Sequence, residues 1–165
     1  MEIIKWPSEI LLKKSSDVDE ISDVERIVDD AVKLMRSTGG VGLAAPQIGI
    51  SKRFFILDES RLAEIDDREP ASDVTVMINP VILDGFGDTV SQEGCLSIPG
   101  EVFNVMRALF IVVKFQDLAG NQKEETFQGF TSIVIQHECD HLDGIVLAER
   151  ESIERRRLIR ERLSA

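Results

Sequence analysis

"FTSIVIQHECDHL", residues 130–142, decides how this chain folds. Its apolar residues and its two histidines, His137 and His141, follow a helical period, and Gly144 stands just past the end. A helix advances about 100° per residue, so His141 lies only about 40° round from His137, one turn further on. Both imidazoles can therefore reach one ion. Glu138 lies about 100° round, at the side of that ion, a place that suits a base acting on water better than a ligand. Cys139 falls about 200° round, on the opposite face, and reads as a small buried apolar residue. Phe130, Ile133 and Val134 lie on or beside the histidine face. The helix is apolar on most sides and is expected to be central and buried. Two buried histidines can also be ordinary hydrogen-bonded core residues. The glutamate between them, and the lack of any third histidine in the chain, favour a metal pair.

Two imidazoles do not close a ligand set. The one other cysteine is Cys95, in "SQEGCLSIPG" at 91–100. It follows Gly94 and precedes an expected strand. A thiolate there completes a Cys-His-His set and leaves the fourth tetrahedral position open, the mark of a catalytic site. By itself "EGCLS" also fits an inert buried cysteine. A third segment, "GGVGLAAPQIGI" at 39–50, reads as a tight loop that lets something approach its backbone closely. Gln47 within it both donates and accepts hydrogen bonds. A well-packed turn would have the same composition.

Outward from these motifs, "SDVERIVDDAVKLMRSTGG" at 22–40 reads as an amphipathic helix, with Ser22 and Glu25 at capping-box spacing and a stop at Gly39–Gly40. Strands are expected at 53–58, at 76–83 with an edge or bulge at Pro80, and at 107–117, the last turning through "DLAGN" into a hairpin with "QKEETFQG". The acidic stretch 58–73 reads as a surface loop, and a last helix fills about 151–163. Strands and helices do not alternate regularly, so an α+β fold is expected rather than a doubly wound one.

A chain of 165 residues suggests one domain, 1–165, with one core. No stretch approaches the roughly 18 apolar residues of a membrane span, so no membrane partner is expected. The N-terminus lacks a signal-like apolar core, and with two cysteines a reducing cytoplasm is expected, without a structural disulfide. A net charge of −11 disfavours broad nucleic-acid binding. The tail "ERESIERRRLIRERLSA" is the exception. It holds six arginines against four glutamates, leaving 13 basic and 26 acidic residues elsewhere. Such a helix could contact RNA or an acidic partner, or be a solvated helix laced by its own ion pairs.

"GVGLAAPQ", "EGCLS" and "QHECDH" occur in the order and spacing of the peptide deformylases, and the chain resembles that family directly over about 40–144. Many members carry a basic residue shortly after the cysteine motif, near the substrate cleft. Here Val102 stands at about that place, while Arg107 keeps the later basic position. The resemblance implies removal of the N-formyl group from nascent polypeptides beginning with formylmethionine. It implies mixed or antiparallel strands wrapped around the central metal helix. One divalent metal would be held by Cys95, His137 and His141, with Fe(II) as the native ion and Zn, Ni or Co accepted. Glu138 would be general base and acid, and the Gln47 amide and Leu96 N–H an oxyanion hole. Gly42 would bind the substrate main chain, and Val41, Glu93, Gly94, Phe130, Ile133 and Val134 would border the methionine pocket. In bacterial relatives of this form the C-terminal helix contacts the ribosome, which the Arg-rich tail would do here. A zinc endopeptidase shares His-Glu-x-x-His but usually takes a third His or Glu ligand. A non-catalytic relative would lack Glu138 or Gln47.

Overall fold

The computed structural model describes residues 1–165. Helix α1 (Ile21–Ser37) leads into β1 (Gly42–Ala44), β2 (Phe54–Asp58), helix α2 (Glu59–Ile65), the long strands β3 (Val74–Cys95) and β4 (Ile98–Gln116), β5 (Gln122–Gln128), helix α3 (Gly129–Leu142) and helix α4 (Ile153–Ser164). The five strands form one antiparallel sheet in the order β1-β2-β3-β4-β5. The architecture is α+β, with the histidine helix at its centre.

Alternation along β2 explains that placement. Phe55 and Leu57 face α3 and pack with Met77, Ile111, Val113, Ile135, Cys139 and Leu142. Phe54 and Ile56 face the other way and pack with Val24, Ala31 and Met35 of α1. A strand covered on both faces must be apolar throughout, as "FFILD" nearly is. A third cluster joins Trp6, Ile98 and Phe103 to Ile159 of α4.

Several boundaries differ from the sequence expectation. The first helix starts at Ile21 with Glu20 at its cap, and Ser22 makes no capping hydrogen bond. The segment expected as an acidic loop forms α2, because Asp58 accepts the Arg61 N–H at its start and Leu62 and Ala63 turn into the core. The strand expected at 76–83 runs on to Cys95. Pro80 does mark a bulge, since the β3–β4 register shifts between Ile78 and Val81. Asn79 there has φ 49°, and its amide clasps both backbone groups of Val18 at 2.8 and 3.0 Å. The strand expected from 107 begins at Ile98, so β3 and β4 form one long hairpin whose tight turn lies at Leu96–Ser97.

Candidate metal centre

Helix α3 delivers His137 and His141 to one side, and the tip of the β3–β4 hairpin delivers Cys95. The ligand atoms of these three residues lie within 4.8 Å of one another, close enough to hold one metal ion. The Cys95 Sγ is 3.3 Å from Nε2 of His141, and the two imidazoles meet edge to face with centroids 5.0 Å apart.

The surrounding groups prepare these atoms for a cation. Nδ1 of His137 is 2.9 Å from Oε2 of Glu93. Burial pushes the Glu93 carboxyl up, but hydrogen bonds from Arg107 and His137 outweigh it and hold it at about 2. Glu93 is thus a permanent acceptor. It fixes the His137 proton on Nδ1 and leaves the Nε2 lone pair free to ligate. Burial also pushes the Cys95 thiol up, but the charge of His141 and the hydrogen bond of His137 bring it well below the ordinary 9.0. The thiolate, the form a metal requires, is therefore favoured. A soft thiolate with two imidazoles fits a divalent transition metal and leaves one tetrahedral position open.

Glu138 is 4% exposed and Oε2 of its carboxylate has no hydrogen-bond partner in the protein. Burial raises this carboxyl above its ordinary 4.5, against the opposing pull of His137 and His141. Gly42 explains how it fits, since a Cβ there would stand 2.5 Å from Oε1 of Glu138. Gln47 sits in a short 3-10 turn, Ala45–Ile48. Its Oε1 accepts the Ala44 N–H at 2.9 Å, which aims Nε2 at Ser97 Oγ (3.2 Å) and Cys95 Sγ (3.7 Å).

A cleft of about 570 Å³ opens onto these groups. Val41, Gly42, Gln47, Glu93, Gly94, Cys95, Leu96, Phe130, Ile133, Val134, His137 and Glu138 all line it. His141, 1% exposed, lies beneath. Cys139 is on the far side of α3, in the core with Ile135 and Leu142, where burial pushes its thiol up.

Arg107, which keeps the later basic position, is not among the cleft-lining residues. It is buried, bonding both oxygens of Glu93 (2.7 and 2.9 Å) and Oδ2 of Asp140 (2.7 Å). Val102 is exposed outside the cleft lining. The sequence reading gave no part to Ser97, Asp140 or the outer cleft residues Lys5, Pro99 and Glu101. Ser97, Asp140 and Pro99 stand inside the quoted stretches, which was the available signal. Lys5 and Glu101 depend on how the chain's start and the hairpin come together.

A family model described as polypeptide deformylase matches residues 1–157. The peptide deformylase of Thermodesulfovibrio yellowstonii is 39% identical over 163 residues, covering 98% of this chain and 95% of its own length. The crystal structure of a peptide deformylase from Legionella pneumophila superposes with a TM-score of 0.85 at 33% identity, covering 99% of this chain and 92% of that one. The Ehrlichia chaffeensis peptide deformylase in complex with actinonin gives 0.88 at 31%, covering 99% and 95%. With its cysteine, two histidines and buried glutamate assembled at one cleft, the chain belongs to the peptide deformylase family of hydrolases.

Proposed function

We propose that this protein removes the N-formyl group from formylmethionyl peptides by attack of water on the formyl carbon, with Glu138 as the proton carrier. The observation that carries this reading is the buried Glu138 carboxylate, unpaired at Oε2, beside the Cys95-His137-His141 site. A divalent ion held by those three residues would acidify water and polarise the formyl oxygen. Glu138 takes a proton from the attacking water and returns it to the leaving amine, and its raised pKa brings it closer to the working pH. As the formyl carbon becomes tetrahedral its oxygen gains charge. The Nε2–H of Gln47 and the N–H of Leu96 are assigned to meet that charge, each worth roughly 3–4 kcal/mol if comparable to a measured oxyanion-hole donor. Gly42 holds the substrate main chain. Val41, Gly94, Phe130, Ile133 and Val134 border the methionine side chain, and Glu93 acts behind the site on His137.

The native ion is assigned as Fe(II), with Zn, Ni or Co able to occupy the same donors. Residues 1–165 are read as one catalytic domain, since Ile159 of α4 shares a core with Trp6 and Ile98. No helix is long and apolar enough to cross a membrane. The two free cysteines suit a reducing cytoplasm. Ribosome contact through α4 would fall to Arg157 and Arg160, whose side chains are 65% and 51% exposed.

Anaerobically prepared protein should release formate from formyl-Met peptides and leave unformylated peptides intact. Glu138→Gln should keep its metal while kcat falls on the order of 10²- to 10⁴-fold, the usual worth of a positioned proton carrier. A variant with wild-type kcat would remove Glu138 from the mechanism.

A further inference from the structure

From sequence the C-terminal arginines fit either a partner-binding cluster or a helix laced by its own ion pairs, and two of them, Arg155 and Arg162, are turned onto the cleft rim. Nε of Arg162 donates to Oε1 of Glu101 at 2.9 Å, and Nη2 donates to the Pro99 carbonyl at 2.6 Å. Its guanidinium lies over Gly100, where a Cβ would stand 3.4 Å from Nη1. Gly100 has φ +80°, so the backbone turns there in a way side chains resist. Nη2 of Arg155 donates to the Val102 carbonyl at 3.0 Å, and its guanidinium stacks 5.2 Å from the Phe103 ring centre. Two arginines thus grip four successive residues, 99–102. Beneath them Ile159, 3% exposed, and Leu163 pack with Ile98 and Phe103, in a cluster that also touches Cys95.

Pro99, Gly100 and Glu101 line the cleft. Cys95 pairs with Ile98 and Glu93 with Phe103, so residues 99–102 bulge from the ladder between those pairs, and 99–101 form a wall of the cleft. They are not among the residues assigned to the methionine side chain, so this wall is left to the peptide beyond it. On the deformylase reading given above, we propose that α4 braces the outer rim of the cleft and that Arg162 is a positioning residue for binding of peptide residues beyond formylmethionine. The groups that do the chemistry lie elsewhere, so the brace acts on binding of longer substrates and not on turnover.

The test compares formyl-Met-Ala with formyl-Met-Ala-Ser-Ala as substrates of the metal-loaded protein. Arg162→Met should raise KM for the longer peptide roughly fivefold, which corresponds to about 1 kcal/mol, the upper end for an exposed ion pair. Its kcat, and both constants for formyl-Met-Ala, should be unchanged. Arg162→Lys keeps a charge for Glu101 but cannot also hold Pro99 in the same fork, so it should fall between. Arg157→Met, which removes a residue paired only within α4, is the control and should resemble wild type. Equal changes on both peptides would mean general loosening and would overturn the brace, as would no change on either. Wild-type protein that turned over neither peptide would overturn the deformylase reading and the brace together. Normal wild-type turnover with a length-independent Arg162→Met would remove the brace alone.

Discussion

The chain has two cysteines beside one helix, and their fates are opposite. Cys139 is part of α3 and points into the core, where burial raises its thiol and nothing charged offsets it enough. Cys95 reaches α3 from the hairpin tip and is also enclosed, yet it is held well below a thiol's ordinary value, because His141 and His137 outweigh the burial. Burial acts the same way on both. Neighbouring charge separates them, and the neighbours follow from which face of α3 each cysteine meets. One side of the helix is a site and the other is packing.

The comparison breaks first at Cys95→Ser. A hydroxyl is a far poorer ligand than a thiolate, so metal affinity should drop by more than the roughly 10- to 100-fold that loss of an outer partner costs. Metal content after dialysis, measured with turnover, reads this directly. A serine variant that retained a full metal complement would show that the two histidines suffice.

Glu93→Gln is the intermediate case, since Glu93 reaches the metal site only through His137. Metal affinity or activity should fall roughly 10- to 100-fold. Stability should fall as well, because Arg107, 5% exposed, keeps Asp140 but loses its bidentate partner. The pH dependence has a definite sign. The carboxyl is depressed from 4.5 to about 2, so its contribution is complete above pH 4.5 and disappears as pH falls through about 2. Acid unfolding of the variant should be shallower across that window. An unchanged acid limb, followed by circular dichroism, would mean the carboxylate gains nothing from folding.

Half of the contrast between the cysteines was legible from helical geometry alone, which set Cys139 on the far face, whereas the part given to Cys95 rested on the family resemblance. Residues 137, 138, 139 and 141 have their faces fixed once the run is helical. What sequence could not supply was contact between distant segments. Glu93, Arg107 and Asp140 are far apart in the chain, and only the hairpin's register beneath α3 makes them one network. Helix α2 was hidden for a related reason. Its composition is that of a solvated loop, and only two of its apolar residues, Leu62 and Ala63, are buried. Just past its end Asp66 accepts the N–H groups of Phe130 and Thr131 at 2.8 and 2.9 Å, so it caps the metal helix from 64 residues away. Local pattern carries no trace of such a cap. The length of β3 was obscured by Gly85 and Gly87 and by a long exposed stretch, which break the apolar alternation that marks a strand.

The smallest expected effect is at Cys139. Its side chain is buried in the hydrophobic cluster that also holds Ile135 and Leu142. Cys139→Ala removes one atom from that packing and should lower stability by about 1 kcal/mol, typical of a modest core change. Metal content and turnover should not move, because no ligand or cleft residue is altered. The same contrast can be read without mutation. In metal-depleted protein a thiol-alkylating reagent should label Cys95 first, since its thiolate is favoured and it lines the cleft, while Cys139 should react only on unfolding. Peptide mapping after brief exposure distinguishes the two sites. Equal labelling of both in the folded protein would mean that α3 does not keep its two faces apart. Metal loss in Cys139→Ala would mean that the packing face and the ligand face are mechanically one.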